Sequence, residues 1–263
     1  KVEAYDKAGN VGTATITANT EEESLPESTS YVGYYADVDG NGSVDGVIYA
    51  DLAIGGSGEW NPGNDSWATQ NQSGKYTIPK GSNFKKYKVS KSGHSGDFGT
   101  KDVLTVSNSS GNERFYIMAL NDVDTKMHCW YYRAWGNMND YSTTTSTSFG
   151  SGKQNTKNMI AKWNSSAYGA QNDGNYTDMW GLSTVQSGTW NGSSGWYVPS
   201  REEWAAFGGQ LGITQSNDKG LSGWYWSSSQ DDTSNAWLAN FYSGYMASLR
   251  VNGDNYVRLG ATF

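Results

Sequence analysis

Between residues 236 and 242 the chain alternates. Trp237, Ala239 and Phe241 fall on one side of an extended backbone, and Leu238, Asn240 and Tyr242 on the other. This period of two predicts a strand with one face in a core and the other in solvent. Ser243-Gly244 and Asn252-Gly253-Asp254-Asn255 follow as reversals, since Gly and Asn tolerate the positive φ of hairpin turns. Residues 224–263 are therefore expected to form a strand meander framed by Trp224, Trp226, Trp237, Phe241, Met246, Val257 and Phe263. Further strands are predicted over residues 47–53, 103–106 and 115–120, separated by turn-rich stretches such as Asn61-Pro62-Gly63-Asn64 and Lys80-Gly81-Ser82-Asn83.

Two segments carry the helical period instead. Met159, Ile160 and Trp163 share a face over residues 153–163. From Ser200, a Ser-x-x-Glu capping box just after Pro199 leads into Trp204, Phe207 and Leu211 on one side. At the other end of the chain, residues 1–19 read as strand, turn, strand around Asp6-Lys7-Ala8-Gly9-Asn10. Two strands alone bury too little to stand independently. The acidic stretch from Thr20 to Ser28, which contains Pro26, reads as a linker. The expected organisation is a hairpin over 1–19, a linker over 20–29 and one main domain over 30–263. Its class is α+β, with mostly short strands and loops and about two helices.

Composition narrows the functions. The formal charge of −7 argues against phosphate-backbone binding and against charge-driven attachment to anionic membranes. Neither nucleic acid nor direct membrane insertion is expected, since no apolar run has the length of a bilayer span. Twelve Trp, eighteen Tyr and thirty-three Gly beside four Pro favour strands and loops over helical bundles. The single Cys129 excludes an internal disulfide and reads as a buried thiol. His94 and His128 stand apart without a set of partners at metal spacing, which argues against zinc.

One loop does have metal-ligand spacing. Asp37, Asp39, Asn41, Ser43 and Asp45 occupy alternate positions around Gly42, as oxygen ligands of a calcium loop do. The twelfth position is Ile48 where that loop needs a bidentate Glu, and no helix signal flanks it. An Asp/Gly-rich turn held by Asx hydrogen bonds accounts for the same residues without Ca²⁺. No cofactor is required, and calcium is the one metal the sequence suggests. Glu202 and Glu203 invite an acid/base reading, but carboxylates in a first helical turn are explained by the cap and the macrodipole.

The surface of the C-terminal meander has the composition of a recognition site. Tyr supplies large contact area at little entropic cost, and Ser and Asn adapt their hydrogen bonds. After Lys219 the chain has no Lys and no Glu, although these are the default residues of a solvated surface.

The run Gly195-Trp196-Tyr197-Val198-Pro199-Ser200-Arg201-Glu202-Glu203-Trp204, then Tyr225-Trp226-Ser227-Ser228-Ser229, Ala236-Trp237 and Tyr256-Val257-Arg258, resembles the variable proteins of diversity-generating retroelements. These are relatives of the phage major tropism determinant. The resemblance covers roughly residues 30–263 and implies a C-type-lectin fold of the formylglycine-generating-enzyme type. It also implies a reverse transcriptase that rewrites template adenines in codons ending in a pyrimidine. Such codons cannot encode Lys, Glu, Gln, Met or Trp, so Trp226, Gln230, Trp237 and Met246 are implied to be fixed framework. The N-terminal D-x-A-G-N hairpin resembles the end of a bacterial Ig-like domain, which implies an extracellular setting on a bacterial surface or a virion.

Taken together, these readings lead us to expect a non-enzymatic receptor or adhesin for a surface protein or glycan of another cell, phage or host. The expected binding residues are Asp231, Asp232, Ser234, Leu238, Tyr242, Ser243, Tyr245, Ser248, Leu249, Arg250, Asn252 and Asp254, with Tyr242, Tyr245 and Arg250 as anchors. Formylglycine-type chemistry needs paired thiols, and one Cys is present. A calcium-dependent sugar lectin would carry its proline-containing loop, and no Pro follows Pro199.

Overall fold

The computed structural model of the chain describes residues 2–5, 11–14, 30–36, 38, 43–52, 115–132, 143–165, 178–221 and 223–262. For residues 2–5 and 11–14 it describes the backbone. The expected strand over 103–106, the turns at 61–64 and 80–83, His94, Asp37, Asp39, Asn41 and Phe263 lie outside the described residues.

The first two strands pair with each other; the residues between them, 6–10, lie outside the described residues. β1 (Val2–Tyr5) pairs antiparallel with β2 (Val11–Ala14), Val2 opposite Ala14 and Tyr5 opposite Val11. A four-stranded antiparallel sheet follows, with order β13-β5-β4-β3, from β3 (Tyr35–Ala36), β4 (Gly46–Asp51), β5 (Phe115–Ala119) and β13 (Gly260–Thr262). A three-stranded sheet is built from β9 (Trp224–Gln230), β10 (Asn235–Asn240) and β11 (Tyr245–Arg250), with β10 in the middle. Two short ribbons complete the strands. One joins β6 (His128–Cys129) to β12 (Asp254–Asn255), and the other joins β7 (Thr189–Trp190) to β8 (Ser193–Ser194).

Helices over the two predicted segments are present as α1 (Gly152–Trp163) and α3 (Arg201–Gln210). A short α2 (Ser183–Ser187) and a 3₁₀ turn (Met179–Gly181) add to the expected pair. Among the described residues the architecture is α+β and mostly β, with several small antiparallel sheets and three α-helices. None of these helices is long and apolar enough to cross a membrane.

The inner strands of both main sheets, β4, β5 and β10, are largely buried on both faces, because the core is double. In β5, Tyr116 and Met118 enter one cluster, while Phe115, Ile117 and Ala119 enter the other. β10 does the same. Ala239 and Phe241 just beyond the strand pack with Trp204, Phe207 and Leu211 of the α3 region, whereas Ala236 and Leu238 pack with Trp130, Trp226 and Val257. The expectation of one solvent face on this strand is therefore corrected. The alternation distributes apolar side chains between two cores, and a second layer built from Trp130 and Tyr131 just after β6, from the 3₁₀ turn and from α2 covers the face that periodicity assigned to water.

Indole hydrogen bonds lock the layers. Trp226 Nε1 donates to the His128 carbonyl at 2.8 Å, and Trp130 Nε1 donates back to the Ser227 carbonyl at 2.8 Å. Trp204 Nε1 donates to the Trp226 carbonyl at 3.1 Å. Each of these three Trp side chains thus satisfies its one donor while fixing a strand.

The triplet Ser227-Ser228-Ser229 lies where β9 bulges, since the register jumps between Ala236 opposite Gln230 and Leu238 opposite Trp226. Its hydroxyls become cross-links. Ser227 Oγ donates to the Trp237 carbonyl, Ser229 Oγ donates to the Ser146 carbonyl and accepts from Arg201 N–H, and Ser228 Oγ accepts from Asn155 Nδ2. The C-terminal sheet is thereby held to the N-terminal ends of α1 and α3.

Candidate functional site

The binding residues expected from the sequence, Leu238 apart, lie on the turns and the edge strand β11 of the β9–β11 sheet. The strand ends separate them into two patches. Tyr245 begins β11 and Arg250 ends it, so at the strand rise they stand about 17 Å apart.

The polar patch joins the β9–β10 turn to the β11–β12 turn. Asp231, Asp232 and Ser234 are exposed. Asp232 Oδ1 accepts from the backbone N–H of Ser234 (2.7 Å) and Asn235 (2.9 Å), and its carboxylate also accepts from Asn235 Nδ2. These bonds, the Ser234 N–H foremost, hold the Asp232 carboxyl below the usual range despite its exposure. Ser248 Oγ donates to Asp231 Oδ2 at 2.6 Å, so Asp231 and half-buried Ser248 act as one unit across the sheet. Arg250 is exposed opposite Asn235. Asn252 lies in the turn and Asp254 begins β12. The Cys129 thiol donates to Asp254 Oδ1 at 3.1 Å and approaches the Asn252 carbonyl at 3.5 Å, which ties this end to β6.

The aromatic patch sits at the other end, around the β10–β11 turn. Tyr242 is 67% exposed and Tyr245 40%, with Ser243 half-buried between them. Asn240 Oδ1 accepts from Ser243 N–H at 3.0 Å and Gly244 takes φ of 74°, which fixes the reversal predicted from Ser243-Gly244.

Two expected residues do not belong to either patch. Leu238 is wholly buried among Trp226, Ala236 and Val257, and its place in the binding set is corrected: no ligand reaches it without opening the sheet. Leu249 is half-buried against the same cluster. Arg250 stands at the end opposite Tyr242 and Tyr245, so the three expected anchors do not form one cluster.

Trp224 was missed. The alternation puts it on the Trp226 face and so in the frame, yet it is 38% exposed because the covering layer ends before the sheet does. Its place as first residue of β9, directly after Gly223, was the available signal. A Cβ on Gly223 would meet the Tyr256 ring at 2.7 Å, so a glycine must precede Trp224 there. Trp226, Phe241, Met246 and Val257 are buried as expected of a frame, and Trp237 is half-buried under the Arg201 guanidinium, 4.5 Å from its ring.

The remaining candidate chemistry is structural. Glu203 is fully buried, and its carboxylate accepts from Ser200 N–H, Gly152 N–H and Tyr197 O–H. Burial pushes it up to about 7 against the pull of those bonds, and burial together with Glu203 pushes Tyr197 well above its ordinary value. Glu202 Oε2 accepts from Phe149 N–H.

Of the calcium-loop residues, Ser43 is exposed and Asp45 is buried with Oδ2 accepting from Val38 N–H at 2.8 Å, a bond from one end of the loop to the other. Among the described residues no three His, Cys, Asp or Glu side chains gather as a metal set. His128 does find a carboxylate, Asp124, at 3.0 Å.

No protein-family model matches the chain, and no curated protein matches it. It is distantly similar to one solved structure, a fimbrial protein from Bacteroides ovatus ATCC 8483. The two are 15% identical with a TM-score of 0.43 over 88% of this chain and 48% of that one. This chain spans about half the length of that protein. A likeness at this level assigns neither a family nor a ligand.

Proposed function

We propose that this chain is a non-enzymatic receptor or adhesin module that presents a ligand-binding surface on the two turn-bearing ends of its C-terminal sheet. One observation supports it above the others. Among the described residues the exposed large hydrophobic side chains are Met127, Trp224, Tyr242 and Tyr245, and three of these four crowd one end of a single sheet. Isolated exposed apolar residues need no explanation, whereas a cluster of aromatics on a rigid frame has the form of a binding site.

The frame's rigidity follows from burial on both faces and from the serine and indole cross-links described above. The finer reading is a variable protein of a diversity-generating retroelement with a C-type-lectin fold, displayed outside a bacterial cell or on a virion. Its target is a surface protein or glycan of another cell, phage or host. The absence of Lys and Glu after Lys219 supports it.

Sequencing the 3′ end of the gene across one population, with its flanking locus, tests this reading. Substitutions confined to the exposed turn positions around Asp231, Asp232, Ser234, Tyr242, Tyr245 and Arg250, beside a near-copy template and a reverse transcriptase, are expected. An invariant gene without those neighbours leaves a static adhesin and removes the retroelement from the account.

A further inference from the structure

The register of the C-terminal sheet places Trp224, Asn240 and Tyr245 directly opposite one another across its three strands. Directly opposed residues project from the same face, one strand spacing apart, so the indole and the phenol rise about 10 Å from each other with Asn240 between them. Asn240 itself is buried and holds the turn that carries Tyr242. The outcome is a shelf of two rings bounded by a third aromatic residue and Ser243. Residues 223–226 and 239–246 contain no Asp, Glu, Lys or Arg.

We propose that Trp224, Tyr245 and Tyr242 form a stacking subsite for a neutral, extended oligosaccharide. This rests on the recognition-surface reading above and names its ligand class. The axial C–H bonds of a pyranose present an apolar, weakly positive face that complements the negative face of an aromatic ring. Two rings at this separation suit two sugar units of an extended chain, while the Tyr hydroxyls and Ser243 meet sugar hydroxyls at the margin. The lack of Lys and Arg disfavours polyanions, which need those residues to neutralise their charge. A protein partner would need about 800 Å² on this side, more than three partly exposed side chains offer.

The test is titration calorimetry of the full chain with neutral hexasaccharides of glucose, xylose, mannose and N-acetylglucosamine, with heparin and polygalacturonate as charged comparators. Saturable binding of at least one neutral oligosaccharide is expected. Trp224→Ala and Tyr245→Ala should each weaken it by about tenfold or more, in line with single stacking contacts. Trp224→Phe should restore binding to within roughly threefold of wild type, because a ring face remains. Met127→Ala, exposed elsewhere, should leave it unchanged. Near-ultraviolet circular dichroism confirms that each variant is folded.

Undiminished oligosaccharide binding by the triple variant Trp224→Ala, Tyr242→Ala, Tyr245→Ala overturns the subsite. Adhesion of the chain to target cells that this triple variant loses, with no neutral oligosaccharide bound at millimolar concentration, overturns the ligand class and leaves the recognition surface standing. Loss of neither adhesion nor sugar binding in the triple variant overturns both.

Discussion

Glu203→Ala removes a carboxylate that joins two helix starts, and its cost can be worked from the bonds it breaks. Glu203 Oε2 accepts from Ser200 N–H at the head of α3 and from Gly152 N–H at the head of α1, and Oε1 accepts from Tyr197 O–H at 3.1 Å. All of this is buried, so truncation strands three donors away from water. At about 1–3 kcal/mol for a stranded buried donor, and with partial relaxation, the loss should be about 3–5 kcal/mol. For a chain of this size that lowers the melting midpoint by roughly 10 °C.

The same group makes stability depend on pH. Burial raises its folded value from 4.5 to about 7, so the proton is held more tightly in the folded state. The stabilisation is fully present below the unfolded value and is lost as pH rises through the folded one. Between about pH 5.5 and 8.5 wild type should lose roughly 2 kcal/mol through this residue. Glu203→Gln mimics the protonated form, so its deficit relative to wild type should narrow by that amount over the same interval. Differential scanning calorimetry at both pH values reads both effects. A midpoint for Glu203→Ala within about 2 °C of wild type, or a gap between wild type and Glu203→Gln that ignores pH, would refute the reasoning.

Asn155→Ala should cost about 2–4 kcal/mol by chemical denaturation, because its amide pairs with both the N–H and the carbonyl of Ser146 and with Ser228 Oγ. Gly152→Ala should prevent tight docking of α1 on α3, since a Cβ there would lie 2.8 Å from the Tyr197 ring and 2.9 Å from Ser200 N; a loss of about 3 kcal/mol is expected by the same assay. Leu238→Ala should cost about 2–5 kcal/mol as a cavity in the second core, whereas Tyr242→Ala should change stability by about 0.5 kcal/mol or less. A Leu238→Ala variant as stable as Tyr242→Ala would restore Leu238 to the surface.

How far each feature was legible depended on whether its cause is local. The capping box at Ser200 and Glu203 could be read from four residues, and both of its hydrogen bonds are present. The helix over 153–163 and the reversal at Ser243-Gly244 are also written in neighbouring residues. The burial of Leu238 is not, since it depends on Trp130 and Val257 closing over a face that periodicity alone assigns to solvent. Trp224 failed for the complementary reason: the pattern continues to the end of β9, but the layer that covers the pattern does not. The Ser227-Ser228-Ser229 run carried a visible peculiarity of composition. Its use as a bulged cross-link needed the positions of Asn155, Arg201 and Ser146, which local sequence does not supply.

The pairing of β13 has a consequence for folding. β13 at Gly260–Thr262 pairs with β5 at residues 116–118, and Gly260 also exchanges backbone hydrogen bonds with Tyr197, so the four-stranded sheet is closed by partners far apart in sequence. Contacts this distant in sequence form late and slowly. Until that pairing forms, the chain lacks both the closing strand and the packing of Leu259 and Ala261 in the cluster that underlies the β9–β11 sheet. Closure of the four-stranded sheet and shaping of the candidate surface on its neighbour become one event, and a chain with β13 unpaired would present neither of its patches.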